Sequence, residues 1–330
     1  MTSISMKRIL PGLLSQANLP PAVSFHKIEG GQNNRAYKVI GVGWKAFLKI
    51  YFRSTKDLRD RYKREIEFSK FIWDAGIRSV PKLLATDEIN GAALFEFVEG
   101  DKLEEISLEL IERAIAFFSE INRHRVSAHA TSLSDGSESR YSIAGHMDLV
   151  GSRINTLESS GMHLDDFTRL ELGPLWEDIK KFVKFYERVD LYKDITLGDR
   201  CLSPSDFGFH NALINSSGQV KFFDFEYSGW DDPARMICDF FCQNDVPIPM
   251  KYFPLFVDKI SQLFLNPAEV VNRTKLLMPI YHAKWCCIVL GGLCSTGASR
   301  RVFAGINGHL DIKELKELSR RHVHNARAYL

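Results

Sequence analysis

No uninterrupted apolar run in this 330-residue sequence is long enough to span a bilayer; Trp285–Leu293 is short and broken by glycine. The opening residues, Met1-Thr-Ser-Ile-Ser-Met-Lys-Arg, lack the apolar core and small-residue cleavage site of a secretory signal. Charge of one sign is equally scarce. Lys and Arg number 43 against 41 Asp and Glu, a net +2, with no long basic run. That balance offers no footing for a nucleic acid or a membrane surface. Cysteine is sparse: Cys201, Cys238, Cys242, Cys286, Cys287 and Cys294 show no zinc-type pair of pairs. Cys238 and Cys242 share a helical face at i, i+4 and read as core packing. Without an export signal, reduced thiols in the cytoplasm are expected. Internal repeats and low-complexity tails are missing too. What remains, 45% hydrophobic and 25% charged, is an ordinary soluble composition, and the length suffices for two lobes.

The chain is organised around Ser203–Tyr227. Asp206 and Asn211 stand five residues apart, and Asp224 follows thirteen after Asn211. Ala212–Ile214 and Val220–Phe225 read as short apolar strands joined by the Asn215–Gly218 turn. Such a hairpin returns Asp224 to the side of Asn211. Each residue alone has a plain structural role, since Asp and Asn side chains bond nearby backbone. Together they make an oxygen-rich cluster of the kind a hard cation such as magnesium prefers. A further carboxylate, Asp206, is left to take a proton from a hydroxyl. Asp, Asn five later, then Asp-Phe on a strand is also the catalytic order of kinase-like phosphotransferases. Asp206-Phe207-Gly208 spells a magnesium-binding tripeptide, but the metal Asp must follow the Asn. The order therefore gives Asp224 to the metal and Asp206 to the proton.

The first hundred residues suit a small nucleotide-holding lobe. Val23–Ile28 has strand character and runs into Glu29, Gly30, Gly31, Gln32, Asn33 and Asn34. Paired glycines between strands let backbone N–H groups approach a phosphate, although most such pairs are plain hairpin turns. No Gly-Lys-Ser/Thr follows, so this is not a P-loop. The strand Lys45–Tyr51 carries Lys49 between Leu48 and Ile50, pointing either to solvent or into a cleft as a phosphate's point charge. A helix from Asp57 to about Ala75 carries Ile66, Phe68, Phe71 and Ile72 on its apolar face. Glu65 lies on that flank, placed to hold Lys49. Further strands are expected from Val80 and over Ala92–Val98. Glu96, Phe97 and Val98 would present backbone groups to an adenine as the chain crosses between lobes.

Beyond this point the pattern is mainly helical. Glu104–Arg123, Gly145–Leu157, Asp165–Val189, Ala234–Gln243, Phe253–Leu265, Pro267–Leu277, His282–Leu293 and Ile312–Leu330 read as helices. His129–Ser142 is Ser-rich and reads as a loop.

Four segments carry a family likeness: Gly30-Gly-Gln-Asn-Asn-Arg-Ala-Tyr, Phe47-Leu-Lys-Ile-Tyr, Leu94-Phe-Glu-Phe-Val-Glu-Gly, and Asp206 through Glu226. They resemble the aminoglycoside phosphotransferase and choline kinase group, from about residue 25 to 245. The resemblance implies an α+β, two-lobed protein-kinase-like fold. Residues 1–99 would form an antiparallel sheet lobe with one main helix, and 100–330 a mostly helical catalytic lobe. It implies that ATP is bound with Mg2+ between them. Gly30, Gly31, Asn33, Asn34, Lys49, Glu65, Glu96, Phe97 and Val98 would serve the nucleotide. Asn211 and Asp224 would hold the metal, and Asp206 would be the base.

Three departures stand out. Pro204-Ser205 replaces a common His-Gly before the base. Met236 occupies the place of a second Asp, with Asp239 one turn on. His-Arg before the base and Ala-Pro-Glu after it are absent, which argues against protein substrates. The expected partner is a small-molecule hydroxyl acceptor, with Trp230, Asp231, Asp232, Trp285, Asp239 and Asp245 as candidate lining. Aromatic and acidic groups suit choline, ethanolamine or an aminoglycoside by cation–π contact, and a sugar by stacking. Lys284-Trp-Cys-Cys-Ile and the Pro-Ser-Asp variant resemble phosphotransferase-like proteins of bacterial surface-sugar pathways, which favours a sugar or sugar derivative. A silent nucleotide-binding pseudokinase and a metal-dependent hydrolase are the alternatives.

Overall fold

Alternation along one strand decides how the small lobe is layered. A computed structural model describes residues 3–29, 31, 33–54, 59–159, 165–186, 190–305 and 311–330; Gly30, Gln32 and Asp57 lie outside them. Helix α1 (Ser3–Gln16) leads into β1 (Ala22–Ile28), β2 (Arg35–Gly41) and β3 (Trp44–Ile50), then α2 (Arg61–Asp74), β4 (Leu83–Asp87) and β5 (Ala92–Glu96). The five strands form an antiparallel sheet in the order β1-β2-β3-β5-β4. In β3, Ala46, Leu48 and Ile50 point to one side and join Ile9, Leu10, Leu13 and Leu14 of α1 in a buried cluster. Phe47 and Tyr51 point to the other side, where Tyr62 and Ile66 of α2 cover them. The sheet is thus sandwiched between two helices. The sequence reading named only α2, because the pattern of Ser3–Gln16 is interrupted by Pro11.

Helix α2 starts at Arg61, where the Asp60 side chain caps it by accepting from Lys63 N. Its residues Phe68, Phe71 and Ile72 do not pack on the sheet. They belong to the core of the large lobe, together with Phe117, Phe207, Phe222 and Phe225. One helix therefore serves both lobes.

The large lobe holds β6 (Asp101–Lys102), α3 (Leu108–Arg123), α4 (Ala128–Thr131) and α5 (Ile143–Glu158). A short α6 (Asp165–Phe167) passes through a π-helical turn into α7 (Gly173–Lys184). Next come β7 (Cys201–Ser203), β8 (Ala212–Ile214), β9 (Val220–Phe222) and β10 (Gly229–Asp231). Helices α8 (Pro233–Cys242), α9 (Phe253–Ser261), α10 (Pro267–Gly291), α11 (Ser295–Ala304) and α12 (Ile312–Arg327) complete it. Strands β6, β8 and β9 form one small antiparallel sheet, and β7 pairs with β10 in another.

Several expected boundaries move. The two helices expected over Pro267–Leu277 and His282–Leu293 are one helix of 25 residues, α10, with Pro279 inside it. Proline removes one helical hydrogen bond, but α10 is buried around most of its circumference, and packing holds it together. The expected strand Ala92–Val98 stops at Glu96, and the second hairpin strand stops at Phe222 rather than Phe225. The loop after α4 is sewn to the main body. Gly136 N donates to Trp230 O at 2.8 Å, Ser137 N to Tyr227 O at 2.8 Å, and Trp230 N to Ser134 O at 3.1 Å. Cys238 and Cys242 are buried in the helical core, as their spacing suggested. No helix among the described residues is long and apolar enough to cross a membrane.

Candidate active site

Lys49 occupies the face of β3 that looks toward α2. It is 5% exposed. Its Nζ lies 2.5 Å from Glu65 Oε2, 2.6 Å from Asp224 Oδ1 and 3.7 Å from Glu226 Oε2. Glu65 reaches it from the buried side of α2. The other Glu65 oxygen accepts from Phe225 N at 3.4 Å. The pair expected from spacing is present, and a residue of the distant large lobe completes it.

Burial works against a charged Lys49, but Asp224, Glu65 and Glu226 outweigh it and hold its pKa above the usual lysine range. Burial, with Asp224 as a like charge nearby, pushes Glu65 up despite Lys49. Glu226 is also raised, by burial and then by Asp224. The ammonium stays charged because three carboxylates surround it.

Asp224 sits just beyond β9 with φ 68°, a left-handed conformation that non-glycine residues rarely adopt. Phe225 explains how it is held. That ring is buried 5.5 Å from Phe68, centroid to centroid, and anchors the chain on α2. Asp224 remains 35% exposed at its side chain. The hairpin brings it beside Asn211 as expected: Ala212 pairs with Phe222, and Phe223 N donates to Asn211 O at 3.0 Å.

Asp206 lies on the loop between β7 and β8. Phe207 and Phe209, which follow it, are buried in the aromatic core against Phe222 and anchor the loop on its C-terminal side. Asn211 Nδ2 donates to the Asp206 carbonyl at 3.0 Å and to its Oδ2 at 3.4 Å. His210 Nε2 lies 3.3 Å from Asp206 Oδ1. Burial would raise the Asp206 pKa, but the His210 contact and charge, Asn211 and Lys284 bring it below the usual range. His210 is raised in turn: burial opposes its charge, and Asp206 overcomes it. Sequence reasoning missed His210, although its i+4 offset from Asp206 was a usable signal. Gly208 has to be small there, because a Cβ would stand 2.7 Å from the His210 ring.

The glycine turn is described at Gly31, which is exposed, and not at Gly30. Asn33 and Asn34 face Glu226. Asn33 Nδ2 donates to Glu226 Oε1 at 3.0 Å, and Asn34 Nδ2 donates to Oε2. Glu226 was overlooked as a site residue, although it lies two positions after Asp224. At the crossing between lobes, Glu96 N already donates to Lys82 O at 2.8 Å, while Lys38 Nζ lies 4.3 Å over the Phe97 ring. Val98 follows, half-buried, outside the strand.

Four of the expected acceptor-lining residues are buried against other partners. Trp230 is buried, and its Nε1 donates to Ala130 O at 3.0 Å. Asp231 is buried and pairs with Arg235 at 2.9 Å. Asp232, also buried, caps α8 through Ala234 N at 2.8 Å and pairs with Arg273. Buried carboxylates need such partners, so these groups serve the scaffold. Asp239 accepts from Lys284 Nζ at 2.9 Å and from Trp285 Nε1 at 2.9 Å, and lies 3.4 Å from Arg235 Nε. Asp245 is exposed.

Asn211 and Asp224 supply amide and carboxylate oxygens on adjacent chain segments, and Asp224 is accessible. This hard-donor set fits magnesium. Glu65, Asp224 and Glu226 also bring carboxylate oxygens within 4.8 Å of one another.

The model of the phosphotransferase enzyme family matches residues 24–242. The chain belongs to that family. Like other structures with the kinase-like fold, this phosphotransferase-family chain aligns over nearly its whole length. A choline kinase from Cryptosporidium parvum Iowa II is 13% identical, with TM-score 0.62, covering 98% of this chain and 95% of that one. A spectinomycin phosphotransferase, solved with ADP and spectinomycin, is 13% identical, with TM-score 0.65 and 98% coverage of both chains. A choline kinase from Streptococcus pneumoniae is 15% identical, with TM-score 0.62, covering 98% and 100%. No curated protein matches the sequence of this family member.

Proposed function

We propose that this chain transfers the γ-phosphoryl group of ATP to a hydroxyl of a small molecule, with bound magnesium. The observation that carries the reading is the ion cluster of Lys49, Glu65 and Asp224, which joins the two lobes, next to the Asp206–Asn211 pair. Lys49 would offset phosphate charge as a point cation, held on target by Glu65. The turn at Gly30 and Gly31 would cover the phosphates with backbone N–H groups. Glu96, Phe97 and Val98 would meet the adenine. Asn211 and Asp224 would hold magnesium, whose charge neutralises the phosphates when bound. Asp206, ionised well below neutral pH, would orient the acceptor hydroxyl and take its proton. The hydroxyl oxygen then bonds to the γ-phosphorus, and the bond to the bridging oxygen breaks with its electron pair leaving on ADP. Positioning and charge stabilisation supply the catalysis, without a covalent intermediate.

The acceptor reading follows from the acidic residues. Asp231, Asp232 and Asp239 each pair with an Arg or Lys, which leaves the exposed Asp245 as the one acidic candidate of that set for a quaternary ammonium group. We therefore favour an uncharged, polyhydroxylated acceptor such as a sugar or sugar derivative over choline.

The test is ADP release across a panel of hydroxyl acceptors, with Asp206→Ala alongside. Turnover should need an acceptor and fall about 1,000-fold or more in Asp206→Ala. Calorimetry should show that Asp224→Ala loses magnesium-dependent ATP binding while Asp206→Ala retains most of it. The reverse pattern exchanges the two roles, and a wild-type chain that binds no ATP refutes the proposal.

A further inference from the structure

Glu226 is the most heavily engaged carboxylate of the cleft, and nothing in the proposed chemistry uses it. It is buried, and both oxygens are occupied by the glycine turn: Asn33 Nδ2 at 3.0 Å on Oε1, and Asn34 Nδ2 on Oε2. Arg61 Nε lies 3.6 Å away and Lys49 Nζ 3.7 Å. The turn's amides cannot face otherwise without losing other bonds. Asn34 Oδ1 accepts from Phe52 N at 3.0 Å, and Asn33 Oδ1 accepts from Arg300 Nη1 at 3.2 Å. Asn33 Nδ2 also reaches Tyr227 Oη at 2.9 Å. The oxygen of each amide is therefore committed, which leaves its NH2 for the carboxylate.

On the reading that this cleft binds ATP, we infer that Glu226 is a positioning residue that latches the nucleotide turn to the segment carrying Asp224. The turn's location is then referenced to the metal-side carboxylate, two residues away on the same rigid segment, as well as to its own sheet. Phe225 is the rigid link, buried against Phe68 and Phe117 between Asp224 and Glu226. Without Glu226, Asn33 and Asn34 would be free to sample other positions, and the latch removes that freedom before nucleotide arrives. Asn33 and Asn34 thus act on the nucleotide through the turn backbone and Glu226, with their side chains committed across the lobe boundary.

Glu226→Gln keeps the shape but offers one acceptor oxygen to two NH2 donors, so one turn amide loses its partner. Adding Asn34→Asp turns the second pair around: the amide of E226Q donates, and the carboxylate of N34D accepts while still receiving Phe52 N–H. Hydrogen exchange of the peptide containing Asn33 and Asn34 reads the latch without nucleotide, and calorimetry with magnesium–ATP reads its consequence. E226Q should exchange about tenfold faster there and bind ATP about tenfold more weakly, while E226Q/N34D returns both to within about threefold. Should E226Q fail to fold, Glu226→Asp keeps the charge and withdraws the oxygens by one methylene, and the same loosening of the turn is expected. Unchanged exchange at the turn overturns the latch, as does a double variant no better than E226Q. A wild-type chain that binds no ATP refutes phosphotransfer and the nucleotide role of Glu226, while the exchange arm still decides whether the latch exists.

Discussion

At the residue scale, the cleft is built on an imbalance of charge. Glu65, Asp224 and Glu226 bring carboxylate oxygens within 4.8 Å of one another; Lys49 is the cation near all three, and Arg61 adds a second beside Glu226. Removing a buried partner leaves the others uncompensated, at about 3 to 5 kcal/mol. Lys49→Met should therefore lower the unfolding free energy at pH 7 by about 3 kcal/mol, measured by urea titration. The pH dependence has a definite sign. Glu65 and Glu226 already have raised pKa values, so the folded state binds their protons more tightly than the unfolded state. Stability from such groups grows as pH falls, and without Lys49 their rise is larger. The deficit of Lys49→Met should shrink between pH 7 and pH 5, and a deficit constant across that window would contradict this account. Spacing placed Asp224 beside Asn211 and put Glu65 where it could reach Lys49, while the direction of Lys49 stayed open until the fold was seen. Spacing was not enough for Glu226, because its partners are some 190 residues away in sequence. The same blindness made Asp231, Asp232 and Asp239 look like substrate lining: Arg273 and Lys284, which neutralise two of them, come from another helix.

At the element scale, the active-site segments are short and borrow their rigidity. Strand β10 has only three residues and escaped the sequence reading, since so short a run shows no periodicity. It matters because the loop after α4 is stitched to it, and the same stretch of chain carries Glu226 and Tyr227. Gly229 permits that stitch. Its φ is +146°, and a Cβ there would lie 2.3 Å from Ser134 O and 2.5 Å from Gly136 N. Gly229→Ala should therefore destabilise the protein by about 2 to 4 kcal/mol, from backbone strain plus overpacking. Gly218, in the β8–β9 turn, is the control. Its φ is +77°, but a Cβ would meet nothing within 4 Å. Gly218→Ala should cost only the strain, about 1 kcal/mol. Thermal melts of the two variants side by side check the difference, and equal losses would mean that the close approach at Gly229 is not what matters. Helices α2, α3, α5, α8, α9 and α12 were legible from their apolar stripes, whereas α1 and α11 were not. The union of two expected helices into α10 was not, because a proline inside a largely buried helix reads as a stop when the packing is unseen.

At the scale of the whole molecule, the sequence changes from strand to helix pattern at about residue 100, but packing crosses that point. Helix α2 places Tyr62 and Ile66 on the small-lobe sheet and Phe68, Phe71 and Ile72 in the large-lobe core. From the other side, Phe303 of α11 packs 5.4 Å from Phe52, and Arg35 donates to Phe303 O across 268 residues of sequence. With the ion cluster and the Glu226 latch, these contacts make separate melting of the small lobe unfavourable. Losing it would expose the inner face of α2 and strip the buried carboxylates of Lys49. Both lobes should therefore unfold in one transition. Tryptophan can report this directly. Trp44 stands on β3 in the small lobe, and Trp176 is buried on α7 in the large lobe. Two variants, each keeping one of these and replacing the other four tryptophans with Phe, should give urea midpoints that coincide. Phe68→Ala, which removes the ring that α2 inserts beside Phe225, should cost about 3 to 5 kcal/mol and move both midpoints down together. If the Trp44 signal is lost at lower urea than the Trp176 signal, the lobes are held by their own cores, and α2 is a hinge between independent units instead of a shared wall.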